Sequence, residues 1–335
     1  MKMKKKETIH RIEKKSVGWG KTKSGSYSSN LDPTSITSWL QVCNERQLKK
    51  YEPDDLSAHK AFVKDGYVIY KNAYPNGKIN EMRKALLGWY NQLEGAHKEG
   101  KIDKDVNGWS FSILSKFEKS KLYEDFIENL NTIKIMKGYL GPDICVLGYD
   151  ALWINIPGSD DPVLVKGQHT DAWTGTSVNT IFAKTCFTDV DKFNGMCVSP
   201  GSHTNGLVPV RNRKIDPMYN VKYENLNLDC LVAGDLLVWH PLLIHATTGH
   251  SDKNTRISIT SRYASTESPF SSQERALGYR TVSIGPMNQV LRIVGNDHLL
   301  PFRTEGGFVG VDRRMSKIYG HSDYKFKKDY EDFLE

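Results

Sequence analysis

His169 and Asp171 stand two apart in Gln168-His169-Thr170-Asp171, and on extended backbone residues i and i+2 project from one face. An imidazole nitrogen and a carboxylate oxygen placed this way can meet a single ion. A third ligand has to come from elsewhere. Gly234 to Arg256, GDLLVWHPLLIHATTGHSDKNTR, supplies His240, His245 and His250 behind a strongly apolar, strand-like run. Two imidazoles and one carboxylate on one face of an octahedron, with the opposite positions open, form the ligand set of non-haem Fe(II) oxygenases. A lone His-x-Asp arises often by chance, and a lone histidine is more often a satisfied structural residue than a ligand. The second cluster is what raises the motif. Arg256 lies 256 − 245 = 11 residues beyond His245, far enough for a turn and a return strand, Arg256 to Tyr263, in which polar and apolar residues alternate. Such a hairpin would bring a guanidinium near the metal, where it can pair bidentately with the carboxylate of an oxo-acid cosubstrate.

These residues need a frame to hold them, and the chain changes texture where the frame is expected. Helical periodicity covers Asp54 to Lys64 and then Lys78 to His97, where Ile79, Met82, Leu86, Tyr90 and Leu93 recur at three and four before Gly100. It returns at Ser120 to Leu140, ahead of Gly141-Pro142. A short helix is expected at Ser35 to Glu45 and a strand at Tyr67 to Tyr70. From there on the text reads as strands punctuated by Gly, Pro, Asn and Asp: Ile144 to Ile156, Val163 to Trp173, Thr180 to Val190, Met196 to Ser199, Leu231 to Trp239 and Arg256 to Tyr263. Helices first and strands after predict a jelly roll braced by N-terminal helices. Parity on a regular strand puts His240 and His245 on opposite sides, with Pro241 marking a bend.

Four ordered segments carry a resemblance to a known family. GDLLVWHPLLIHAT with its downstream arginine is similar to the distal-histidine segment of the phytanoyl-CoA dioxygenase family of Fe(II)/2-oxoglutarate oxygenases. LWINIPG (Leu152 to Gly158), QHTDAW (Gln168 to Trp173) and NGMCVSPGSHTNG (Asn194 to Gly206) fit in order, the last resembling the family's Pro-Gly-Ser-His turn. AFVKDGYVIYKNAYP (Ala61 to Pro75) is similar to the family's opening helix and strand. The likeness runs from Leu56 to Ala264 and implies a mainly β fold with flanking α, a cupin-like double-stranded β-helix. It selects His245 over His240 and His250. It further implies Fe(II) held by His169, Asp171 and His245, with 2-oxoglutarate and O2 as cosubstrates. The oxo acid would chelate the metal through its keto and C1 carboxylate oxygens and place its distal carboxylate on Arg256. Thr247 matches the family's Ser/Thr at that carboxylate, and Asn155 matches a polar position that helps hold it. Related halogenases replace the carboxylate ligand with a small residue, so Asp171 implies a hydroxylase-type site, with succinate and CO2 as coproducts.

Composition bounds the rest. The 335 residues are 39% hydrophobic and 25% charged, ordinary for a globular chain with a sizeable core. We expect a basic arm over residues 1–30 and one oxygenase domain over 31–335, with the jelly-roll core at about 144–264 and a C-terminal extension over 265–335. The net charge of +7 is concentrated in the arm, and its basic residues lack the aromatic interleaving of nucleic-acid binders. No apolar h-region or bilayer-length run is seen, so no membrane partner is expected. Cys43, Cys145, Cys186, Cys197 and Cys230 form no CxxC pair, which points to the cytoplasm. The substrate is read as a small molecule. Lys166, Gln168, Trp153 and Trp173 are candidate contacts, and Trp109 is a further aromatic candidate. Arg275, Arg280, Arg292, Arg303, Arg313 and Arg314 in the extension are candidates for meeting an anionic group. The rival readings are a metal-dependent hydrolase using the same His/Asp/His set, which would not need Arg256, and a non-catalytic binding module.

Overall fold

The structure is a computed structural model. It describes residues 48–148, 150–157, 168–190, 195–211, 214–216, 225–228, 230–247, 254–271, 274, 278–294 and 330–334. The strands are β1 (Lys50–Tyr51), β2 (Tyr67–Tyr70), β3 (Ile144–Leu147), β4 (Ala151–Asn155), β5 (Thr180–Cys186), β6 (Met196–Val198), β7 (Val210–Arg211), β8 (Lys214–Ile215), β9 (Leu226–Asn227), β10 (Leu236–Trp239), β11 (His245–Thr247), β12 (Arg256–Ser265) and β13 (Tyr279–Ser283). The helices are α1 (Ser57–Asp65), α2 (Asn76–Lys98), α3 (Val106–Glu118), α4 (Lys121–Ile127), α5 (Leu130–Leu140) and α6 (Pro286–Ile293). The large sheet runs β1-β2-β10-β5-β12-β3-β13, with β4 also pairing β12, and a smaller sheet runs β11-β6-β9.

Two cores result. Ile257, Ile259 and Tyr263 of β12 pack with Ile79, Met82, Leu86 and Leu93 of α2 and with Ile113 and Phe117 of α3, so the helices cover one face of the large sheet. On its other face Phe182, Leu237 and Trp239 meet Met196, Val198 and Leu226 of the smaller sheet. The two sheets therefore close on each other as a jelly roll with helices on one outer face, as the sequence predicts.

The differences are local. The region expected as one helix from Ser120 is two, α4 and α5, because Asn129 leaves the helical backbone and its side chain caps the Thr132 N–H at 3.0 Å. The strand expected over Ile144 to Ile156 is two, β3 and β4, which lie end to end along β12: β3 pairs Tyr263–Ser265 and β4 pairs Arg256–Thr260. Helix α3 was not predicted. It is buried almost all round, with Trp109, Ser110, Ser112, Ile113, Leu114 and Phe117 inside, so it carries no clean apolar stripe. Trp109 belongs to this core, not to a pocket mouth. The helix expected at Ser35 to Glu45 and the basic arm lie outside the described residues.

Asp235 of the Gly-Asp pair has a structural role. Its carboxylate meets Lys50 Nζ at 2.6 Å and accepts the Val232 N–H at 3.0 Å and the Asn72 N–H at 3.3 Å. It thereby pins the start of β10 to β1 and to the turn after β2. The chain's end returns to the helix layer, where Lys116 Nζ donates to the Leu334 carbonyl at 2.7 Å and the Tyr330 N–H donates to Ser112 Oγ at 3.0 Å.

Candidate metal centre

His169 and His245 exchange both backbone hydrogen bonds at 2.9 Å, an isolated antiparallel bridge that places the two imidazoles side by side. Their ring centroids are 4.3 Å apart. Asp171 does not continue a strand, contrary to the Val163 to Trp173 expectation. It opens a 3-10 turn, Asp171–Thr174, which Gly175 ends in a left-handed conformation at φ 82°. Residues 158–167 lie outside the description. Thr170 is extended, which keeps positions 169 and 171 on one side. Asp171 Oδ1 stands 3.8 Å from His169 Nε2, and Oδ2 stands 3.5 Å from His245 Nε2. One donor atom from each of the three lies within 4.8 Å of the others.

The donor chemistry fits a divalent ion. His245 Nδ1 lies 2.9 Å from the Leu243 carbonyl. A carbonyl only accepts, so Nδ1 carries the proton and Nε2 presents its lone pair. Burial pushes the Asp171 carboxyl up, yet its electrostatic attraction to His245, His169 and Arg262 and the N–H of Trp239 outweigh it and hold the group below the ordinary carboxylate range. An ionised carboxylate beside two imidazoles is the hard, mixed N/O set that Fe(II) accepts.

Neighbouring elements hold the ligands. The Ile244 N–H donates to Ser202 Oγ and the Ser199 N–H to the Ile244 carbonyl, both at 2.9 Å. The Pro-Gly-Ser-His turn thus clamps the residue before His245. Its His203 Nε2 reaches the Val63 carbonyl at 3.0 Å, tying the turn to α1. His240 packs against His203 and Phe62, with ring centroids 5.6 and 6.4 Å away. His250 lies outside the described residues.

Arg256 arrives by a different route from the one expected. No hairpin joins His245 to it: β11 pairs β6 in the smaller sheet, and β12 pairs β4, β5 and β3 in the large one. What fixes Arg256 is its register partner Asn155, whose Oδ1 accepts from Nε at 3.2 Å and from an Nη at 2.6 Å. Both side chains are buried. Alternation carries Arg256, Ser258, Thr260 and Arg262 to one face of β12, the interior one, since Arg262 lies over the Phe182 ring at 5.0 Å. Thr247 ends β11 two residues past His245, on the same side of that strand.

The other candidates are more dispersed. Trp153 donates its indole N–H to Thr260 Oγ1 at 3.0 Å and so belongs to the interior wall. The Gln168 amide donates to Asn225 Oδ1 at 3.3 Å, bracing the smaller sheet. Lys166 and the side chain of Trp173 lie outside the described residues, as do Arg275, Arg303, Arg313, Arg314 and the side chain of Arg292. Arg280 pairs with Glu128 at 3.0 Å on the exterior, a surface role in place of the anion contact considered for it. Sequence reasoning missed Trp239, whose indole N–H donates to Asp171 Oδ2 at 2.9 Å. A signal was available, since an indole in an apolar run needs an acceptor for its N–H.

A jelly roll in which two histidines and a carboxylate converge carries the ligand set of non-haem Fe(II) oxygenases. Residues 62–258 match the sequence profile of phytanoyl-CoA dioxygenase, and the chain belongs to that family. No curated protein is similar enough to match it. Among solved structures, the non-heme monooxygenase ThoJ in its apo form is similar in fold at TM-score 0.50 and 18% identity, over 68% of this chain and 83% of that one. The epimerase SnoN in complex with Fe3+, alpha ketoglutarate and nogalamycin RO aligns at TM-score 0.49 and 16% identity, over 64% and 85%. EctD from S. alaskensis with bound Fe aligns at 0.48 and 13%, over 67% and 81%.

Proposed function

We propose that the chain uses Fe(II), 2-oxoglutarate and O2 to oxidise an unactivated C–H bond of a small molecule, releasing succinate and CO2. Hydroxylation is the principal outcome, with desaturation or oxidative cyclisation as variants of the same chemistry. In this reading His169, Asp171 and His245 hold the metal, which activates O2 for the oxidation. Arg256 takes the distal carboxylate of 2-oxoglutarate, Asn155 orients the guanidinium, and Thr247 adds a hydroxyl. The scattered free thiols of Cys145, Cys186, Cys197 and Cys230 suit a reducing cytoplasm. Among the described residues no helix is long and apolar enough to cross a membrane.

The observation that carries the proposal is the pairing of two features in one interior. Three donors gather within 4.8 Å of one another, and a buried arginine held by Asn155 stands on the same strand face as Arg262, whose charge acts on Asp171. A hydrolase has no use for that arginine. Anaerobic addition of Fe(II) and 2-oxoglutarate tests the reading through the weak visible metal-to-ligand charge-transfer band expected of the complex. A screen of small acids and amino-acid derivatives for succinate release then identifies the substrate class. Metal-dependent hydrolysis that ignores both 2-oxoglutarate and Arg256, or no metal binding at all, would overturn it.

A further inference from the structure

Asp171 has two oxygens, and their surroundings differ. Oδ2 accepts the Trp239 N–H at 2.9 Å, while no described residue donates a hydrogen bond to Oδ1. The indole responsible is held firmly. Trp239, Phe182 and Arg262 are register partners across β10, β5 and β12 and form one row on the interior face. Trp239 stacks on Phe182 at 5.4 Å with 29° between planes, and the Arg262 guanidinium caps Phe182 at 5.0 Å. The Trp239 ring also meets the His245 imidazole edge-on at 5.7 Å. One side chain, 2% exposed, therefore touches two of the three ligands, and a cation and a second ring brace it from behind.

We propose that Trp239 is a positioning residue that makes Asp171 a one-oxygen ligand: its N–H occupies Oδ2, leaving Oδ1 for the metal, and the Phe182–Arg262 stack fixes the indole. The inference rests on the oxygenase reading above. An octahedral ion has six positions. Three go to His169, Asp171 and His245 and two to a chelating 2-oxo acid, which leaves one for O2. A carboxylate free to swing its second oxygen onto the ion would fill that last position. A single N–H on Oδ2 disfavours this without adding charge, and it strengthens as water is excluded.

Trp239→Phe keeps the ring and its stacking and deletes only the donor. The probe is nitric oxide, which takes the position that O2 would use and gives a distinct paramagnetic signal on Fe(II). Native protein loaded with Fe(II) and 2-oxoglutarate should bind nitric oxide tightly. Trp239→Phe, loaded to the same Fe(II) content, should bind it at least about tenfold more weakly, the usual scale for losing a group that orients a ligand. Trp239→Gln, which restores a side-chain N–H, should recover part of the loss. A purely structural tryptophan would lower stability or metal content and leave the nitric oxide affinity of the loaded fraction unchanged; that result overturns the proposal. Should Trp239→Phe not fold, Phe182→Leu loosens the stack with the indole in place. It should shift the affinity in the same direction by less than the loss of the donor does, and no shift there overturns the proposal equally. Native protein that binds neither Fe(II) nor 2-oxoglutarate would instead strike at the oxygenase reading.

Discussion

β12 presents two unlike faces. Toward the helices it turns Ile257, Ile259 and Tyr263, all within 1% of full burial, into the larger core. Toward the interior it turns Arg256, Ser258, Thr260 and Arg262, also buried but polar, against Asn155, Trp153 and Phe182. The period of two that builds a strand thus separates stability from chemistry at single-residue resolution. A one-residue slip would put isoleucines in the polar interior and guanidinium groups among the helices. The helix layer and the pairing of β12 with β4, β5 and β3 hold that register.

The separation can be broken from either side. Arg256→Gln should weaken 2-oxoglutarate binding by about 2–5 kcal/mol, the cost of truncating one partner of a buried charge pair, while Fe(II) still binds with native affinity. Ile259→Ala, three residues away on the other face, should lower the unfolding free energy by about 2–5 kcal/mol with both affinities unchanged below the transition. Calorimetric titration and urea unfolding of the two variants would settle the matter. If the isoleucine variant lost cosubstrate affinity in proportion to stability, the faces would not be independent.

A finer division concerns Asn155. Its amide oxygen takes two N–H groups of Arg256, so under the proposed function it would act on the cosubstrate through the guanidinium. Asn155→Ala should cost about 1.5–3 kcal/mol of 2-oxoglutarate binding, the range for a hydrogen bond to a charged group. The effect should fall on KM, with kcat nearly preserved. The double variant with Arg256→Gln should be no worse than Arg256→Gln alone. Additive losses would instead mean that Asn155 meets the cosubstrate directly.

How much of this was legible depends on whether the cause was local. β2 and α2 can be read from the sequence because their periodicity is contained in the segments, and β12 because it alternates. α3 escapes the same rule since it has no solvent face to create a contrast. Asn129 looks like an ordinary polar position inside a helix, and only its backbone angles reveal a cap. His169, Asp171 and His245 were nameable because a motif preserves their spacing. The hairpin drawn from His245 to Arg256 failed because nothing in that stretch records that the chain changes sheets. Trp239 is the clearest case. Its position in an apolar run is visible, but its aim at Asp171 follows from the pairing of β10 with β5, a contact made far along the chain.

The smallest expected effect concerns His240, which packs between Phe62 of the helix layer and His203 of the turn beside the site. Burial first, then the neighbouring His203, holds His240 down to about 4 from its ordinary 6.5. The neutral ring fits its setting, since Nδ1 accepts the Leu242 N–H at 3.1 Å. Because the folded state resists protonation, protons favour unfolding. The stabilising contribution is complete above pH 6.5 and disappears as the pH falls toward about 4. His240 is only partly buried, so after solvent screening we expect about 1 kcal/mol. His240→Asn keeps an acceptor for the Leu242 N–H and cannot take up a proton at these pH values. Between pH 6.5 and 4.5 the native protein should lose about 1 kcal/mol more than the variant in urea unfolding. Carboxylates elsewhere titrate equally in both proteins, so the difference isolates the ring. Parallel acid limbs would place the cost of acid outside the contact of His240 with His203 and Phe62, and would leave the interior site insulated from it.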